Sequence, residues 1–248
     1  MVVEWRVLGP FELVVDGRPV HLGGPKIRGV MARLGIVAGQ TVSVSALVSE
    51  LWGERAPADA HRTVRTYISR LRRAFVRRGV AAEGFLLTRP SGYEVRVDPM
   101  LYDAARFQRL VAEGRRESDP EAAAGRLGAA LALWRGDALA EFAELPALAA
   151  EGLRLDRLRL AAVEDRIDAL LRAGYGADVV GELESLVVLN PTRERLWGQL
   201  MTALYRTGRQ AEALAAFRTA RGLLIGEYGV EPSPWLSEVH RRVLRQAA

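Results

Sequence analysis

The sequence contains no cysteine, so disulfides and thiolate metal sites are excluded. Histidine is scarce as well. His21, His61 and His240 stand far apart in H-x-x-x-H-free and H-x-E-free contexts, which predicts surface or cap residues and no zinc site. No apolar run reaches the ~18 residues of a membrane span. Glu4 interrupts MVVEWRVLGPF before the basic, apolar and small segments of a signal peptide can develop, so a cytoplasmic location without membrane contact is expected. Catalytic patterns are missing too. Gly23-Gly24-Pro25 is followed by neither G-K-[ST] nor G-x-G-x-x-G, and there is no G-x-S-x-G or H-E-x-x-H. Glu141, Glu144, Glu151, Asp156, Glu164, Asp165 and Asp168 lie at helical spacing among arginines, which predicts ion-paired faces rather than acid–base pairs. No enzyme activity and no cofactor is expected.

Lysine is almost lacking, with Lys26 alone, so the basic charge is arginine. Its distribution is uneven. Residues 1–98 carry 15 Lys and Arg against 9 Asp and Glu, whereas 99–248 carry 20 against 21. A hydrophobic content of 49% over 248 residues is ample for one large core or two ordinary ones.

The basic surplus centres on Pro57 to Arg78, PADAHRTVRTYISRLRRAFVRR. Pro57 suits a first helical position, and Gly79 suits the left-handed residue that ends a helix. Val64, Ile68, Leu71 and Phe75 recur at i, i+4, i+7 and i+11, flanked by Ala60 and Tyr67, and predict one buried stripe. Winding the rest at ~100° per residue places Arg62, Thr66, Ser69, Arg73 and Arg77 opposite, with Arg65 and Arg72 on one shoulder and Thr63 and Arg70 on the other. No acidic residue falls between Arg62 and Arg78. A solvated face usually mixes signs, because opposite charges at i, i+4 support a helix and like charges repel. A one-sign face points to an anionic partner, and nucleic acid fits best. Bulky apolar residues are missing from it, which argues against a helix lying on a membrane.

Around that helix the chain reads in order as strands over Trp5–Leu8, Phe11–Val15 and Pro19–Leu22, with Asp16-Gly17 as a hairpin turn. Helices follow over Lys26–Val37 and Val44–Trp52, the second capped by Ser43. After the basic helix, Phe85–Thr88 and Tyr93–Val97 alternate as strands about Arg89-Pro90-Ser91-Gly92. Strands, three helices and a final hairpin make a winged helix-turn-helix. The remainder is helical. Leu170-Leu171-Arg172-Ala173-Gly174 and Leu204-Tyr205-Arg206-Thr207-Gly208 repeat at an offset of 34, the tetratricopeptide period, with Trp197, Leu200, Ala213, Phe217 and Ala220 at signature positions. A looser unit is read at Phe107, Leu110, Ala123, Leu127 and Ala130, then a linker over Trp134–Pro146, a long helix over Leu148–Arg172 and a capping helix from Pro232 to near Arg245. Trp134, Trp197, Phe217 and Trp235 are predicted as core.

VLGPFELVVDGRPVHLGGPKIRGVMARL, VSALVSELWGERAP, VRTYISRLRRAF and LLTRPSGYEVRVD resemble the Streptomyces antibiotic regulatory proteins, from about Arg6 to Arg245. The resemblance implies a fold that is mainly α with a small β component: an OmpR-type winged helix at 1–98 and a tetratricopeptide-like activation domain at 99–248. It implies an activator of a secondary-metabolite gene cluster that binds double-stranded DNA at direct repeats, as a homodimer at least on DNA, and recruits RNA polymerase holoenzyme. An interaction adaptor or a repressor on the same fold stays open. Base contacts are expected from Arg62, Thr66, Arg70 and Arg73, and Thr63 shares that helix. Phosphate contacts are expected from Arg65, Ser69, Arg72, Arg89 and Ser91. Thr41 and Ser43 are candidates for a backbone contact. Glu54 and Arg55, in the connection that faces the transcription machinery in OmpR-type folds, are expected to meet polymerase.

Overall fold

A computed structural model describes residues 2–246. They form two compact units, 2–110 with Ala129–Arg159, and Val111–Gly128 with 160–246. No helix among the described residues is long and apolar enough to cross a membrane.

The first unit opens with an antiparallel sheet of β1 (Val3–Arg6), β2 (Glu12–Val15) and β3 (Arg18–Pro19). Asp16 and Gly17 turn between β2 and β3 with φ of 46° and 78°, the left-handed pair of a tight hairpin. The expected strand Trp5–Leu8 is displaced. Its ladder ends at Arg6, because the N–H groups of Val7 and Leu8 donate to the Asp103 carboxylate at 2.9–3.1 Å. Their carbonyls are occupied too: Leu8 accepts from the Arg135 N–H at 2.8 Å and Val7 from the Leu139 N–H at 3.2 Å. Buried backbone groups need partners, and here they come from residues nearly a hundred positions away or more. Three carboxylate hydrogen bonds do not outweigh desolvation, and burial pushes the Asp103 carboxyl above the usual range. β3 is shorter than expected, although the Val20 N–H still donates to the Leu13 carbonyl at 2.8 Å just beyond it.

Three helices follow: α1 (Pro25–Gly35), α2 (Val44–Trp52) and α3 (Ala60–Val76). α1 stops two residues short of the expected Val37. Ser43 Oγ accepts from the Ala46 N–H at 3.0 Å, the cap read from the sequence. α3 begins at Ala60 rather than Pro57, because Pro57–Asp59 form a turn closed by the Ala60 N–H on the Pro57 carbonyl. Gly79 has φ 78°, the left-handed residue expected there, and the Val80 N–H reaches back to the Phe75 carbonyl; the helix itself ends at Val76, two residues before the expected Arg78. Ala60, Val64, Ile68, Leu71, Ala74 and Phe75 are buried.

The wing is preceded by a short helix that the sequence did not announce, α4 (Ala82–Phe85). It comprises β5 (Leu86–Arg89) and β6 (Gly92–Val95), with β4 (Val42–Ser43) pairing on β6 in the order β4-β6-β5. Two residues are too few for alternation to announce β4. Gly92 permits the pairing, as a Cβ there would lie 2.0 Å from the Val42 carbonyl oxygen. The segment expected as a linker completes this unit's core: Phe142 stacks edge-on to Phe11 at 5.8 Å, and Trp134 to Phe107 at 5.3 Å. Glu141 accepts the Phe11 N–H at 2.8 Å and pairs with Arg28 at 2.7 Å.

The helices of the second part are α5 (Asp103–Arg116), α6 (Pro120–Leu131), α7 (Pro146–Arg172), α8 (Gly176–Leu189), α9 (Glu194–Arg206), α10 (Gln210–Tyr228) and α11 (Pro234–Leu244). Gly174 and Gly208, 34 residues apart, both turn with positive φ, 95° and 79°, after α7 and α9. The second unit's core joins Leu171, Leu183, Trp197, Leu200, Leu204 and Leu236. Two of its ion pairs tie the start of α9 to α7: Arg193 reaches the buried Glu164 at 2.9 Å, and Arg195 reaches Asp165 at 2.7 Å. Two expectations fail. His240 is half-buried and stacks on Phe217 at 3.8 Å, with burial and Arg218 holding its imidazole below the usual pKa. Trp235 is 50% exposed rather than core: in the first turn of α11 one edge of its ring packs directly on Gly198, which has no Cβ to hold it off, and the rest of the indole stays in water.

Candidate nucleic-acid interface

α3 and its C-cap present Arg62, Arg65, Thr66, Ser69, Arg70, Arg73 and Arg77 to solvent, with Thr63 and Arg72 half-buried at the edges. Among the described residues, the guanidiniums of Arg62, Arg65, Arg70, Arg73 and Arg77 have no ion-pair or hydrogen-bond partner. Elsewhere in the chain arginines are commonly paired, as Arg28, Arg115, Arg193 and Arg221 are. The hydroxyls on α3 are partly committed. Thr66 Oγ1 donates to the Arg62 carbonyl at 3.1 Å, which leaves its methyl as the group it adds to the surface. Thr63 Oγ1 donates to Asp59 at 3.3 Å.

Arg70, Arg73 and Arg77 line a groove of about 340 Å3 with His21, Gly23 and Gly24. The loop before α1 reaches them by tertiary packing, so no local pattern singled out His21. Arg72 differs from its neighbours. Its Nε and Nη2 donate to the Leu86 carbonyl at 3.3 and 2.9 Å, and Nη2 to Thr88 Oγ1 at 2.8 Å. It ties α3 to β5 and sets the wing against the helix.

At the wing tip Ser91 is exposed, and Arg89 grips Glu94 through Nε at 2.7 Å and Nη2 at 3.0 Å. That hydrogen-bonded pairing holds the Glu94 carboxyl below the usual range and raises the Arg89 guanidinium. Nη1 of Arg89 is left uncommitted. Glu94 was not read from the sequence as a partner; the two-residue turn brings it diagonally opposite Arg89. At the other edge, Thr41 is exposed and Ser43 spends its hydroxyl on the α2 cap.

Between α2 and α3, Gly53–Arg55 form a single 3-10 turn in which Glu54 and Arg55 are exposed. The turn has a rigid base: Trp52 stacks on Tyr67 at 6.4 Å and 19°, and Lys26 Nζ lies 4.5 Å from the Trp52 ring.

Residues 102–244 match the family model described as bacterial transcriptional activator domain, and 17–95 match transcriptional regulatory protein, C terminal. The regulatory protein DnrI of Streptomyces peucetius is 39% identical over 98% of this chain and 92% of its own length. The regulatory protein AfsR of Streptomyces coelicolor is 40% identical over 98% of this chain, which spans only 24% of AfsR. Among solved structures, Mycobacterium tuberculosis EmbR in complex with a low-affinity phosphopeptide superposes with a TM-score of 0.92 at 33% identity, over 99% of this chain and 66% of that one. A winged helix bearing an unpaired arginine face, helical repeats after it, and relatives matched across nearly the whole chain lead to one conclusion: the protein belongs to the Streptomyces antibiotic regulatory protein family of DNA-binding transcriptional regulators.

Proposed function

We infer that this regulator is an activator of a secondary-metabolite gene cluster, that residues 1–98 bind its promoter and that 99–248 serve activation and pairing. The observation that carries DNA binding is the row of five guanidiniums along α3 and its C-cap, unpartnered among the described residues. Like charges so arranged gain nothing from one another, and neutralising phosphates and reading guanines uses all of them. Arg62, Thr66, Arg70 and Arg73 read bases in the major groove, where arginine suits guanine and the Thr66 methyl suits thymine. Arg65, Ser69, Ser91 and the free Nη1 of Arg89 hold phosphates, and Arg72 and Thr63 fix the geometry from which they do so.

Two monomers bind head to tail on a direct repeat. The winged helix has no internal two-fold, and a heterologous contact between copies translates the recognition helix along one DNA face. Repeat centres then lie about one turn, ~10–11 bp, apart. The test inserts ~5 bp and then ~10 bp between the repeats of its own promoter. Cooperative binding is lost with the first insertion and partly returns with the second. Equal affinity at all three spacings would sink the arrangement.

RNA polymerase holoenzyme meets the exposed turn at Glu54 and Arg55. Glu54→Ala and Arg55→Ala keep promoter affinity and lose activation, measured by gel shift beside in-vitro transcription. Parallel loss of both would place the two residues on DNA instead, and increased transcription would make the protein a repressor.

A further inference from the structure

We propose that the second compact unit binds a planar aromatic acid in a cavity of about 460 Å3 framed by α5, α6, α7, α9 and α11. That volume falls within the ~300–1,000 Å3 usual for small-molecule sites. Three features of its wall define the ligand. The first is Trp235, an indole half open to solvent and seated on Gly198, where a Cβ would come within 2.4 Å of the ring. An exposed tryptophan over a glycine is a flat apolar platform, and stacking a second ring on it removes both faces from water.

The second feature is charge. Arg172 and Arg242 line the cavity and have no acidic or hydrogen-bonding partner among the described residues. The wall's carboxylates are already occupied, Asp165 by Arg115 at 2.6 Å and by Arg195 at 2.7 Å, and Asp168 by Arg195. The two guanidiniums therefore meet a ligand carboxylate without competition from the wall. The third feature is Gln199, 3% exposed. Its Nε2 is fixed by the Glu164 carbonyl at 2.7 Å and Asp168 Oδ1 at 2.6 Å, while its Oε1 is buried without a donor. A buried acceptor left unmet costs free energy, and a hydroxyl on the ligand's ring supplies the donor.

Calorimetry on the full chain with 6-hydroxy-2-naphthoate tests this directly and does not depend on DNA binding. One molecule binds per chain, and the methyl ester, which lacks the charge, binds at least tenfold more weakly, about 1.4 kcal/mol. Arg172→Ala and Arg242→Ala each weaken the acid severalfold. Both side chains are exposed and unpartnered, so circular dichroism and the unfolding midpoint stay unchanged. Arg241→Ala, on the same helix but outside the cavity wall, leaves binding as it was. Four results overturn the proposal: no heat of binding up to about 5 mM, equal affinity for acid and ester, full affinity in the Arg172→Ala/Arg242→Ala variant, or displacement of the naphthoate by a tetraglutamate peptide that binds more tightly.

Discussion

Phe75→Ala is expected to lower the unfolding midpoint of the first compact unit by on the order of 10 °C. Phe75 is fully buried, and its ring meets Phe85 edge-on at 4.9 Å. Phe85 is in turn backed by Trp5 at 5.9 Å, so the neighbours have little room to collapse into the space left behind. Truncating a buried phenylalanine in such a site costs about 3–5 kcal/mol, and 1 kcal/mol moves the midpoint by about 2–4 °C in a domain of 150–250 residues. Against a total stability of about 5–15 kcal/mol that is a large fraction. Leu71→Ala, equally buried on the same stripe, moves the midpoint in the same direction. Calorimetric unfolding of the whole chain measures both. A midpoint that stays put would mean that the stripe of α3 is not held in the core.

The opposite face gives the opposite signature. Arg62→Ala/Arg70→Ala/Arg73→Ala removes three exposed guanidiniums that have no partner among the described residues, so the unfolding midpoint stays within a degree or so of the parent. Promoter affinity falls by at least ~100-fold, because each base-reading arginine is worth about 1–3 kcal/mol. Sequence preference relaxes at the positions they read. The slope of log affinity against log salt becomes shallower by ~0.9 for each phosphate charge the trio also neutralised. Fluorescence anisotropy on promoter and scrambled duplexes, over a salt series, reads all three. Unchanged promoter affinity would remove α3 from the major groove, and a fall in midpoint equal to that of Phe75→Ala would make the trio structural.

Where the sequence spoke plainly, the reason was local. The Ser43 cap needs only Ala46, three residues on; the α3 stripe needs only helical period; Gly79 declares itself by what a left-handed turn demands; and the repeat that pairs Gly174 with Gly208 needs only a fixed offset. What escaped depended on distant partners. Asp103 ends β1, Glu94 takes two donors of Arg89, and Arg72 turns to the Leu86 carbonyl, all through tertiary placement that no period encodes. The same holds for Trp235. Aromatic content foretells burial on average, yet only one edge of this indole is seated, on Gly198, and the rest stays in water.

The ends of β1 carry one last consequence, in time rather than space. Ribosomes deliver the N-terminus first, and a winged helix closed at residue 98 could form as soon as its hairpin emerged. Here the N–H groups of Val7 and Leu8 wait for Asp103, their carbonyls for Arg135 and Leu139, and the Phe11 N–H for Glu141. The unit they belong to is completed only at Arg159. At ~5–20 residues per second, that interval after residue 98 lasts roughly 3–12 s. The nascent protein thus passes through synthesis with its recognition helix translated but its first sheet unfinished, and it gains a complete DNA-binding unit only once Arg159 has been added.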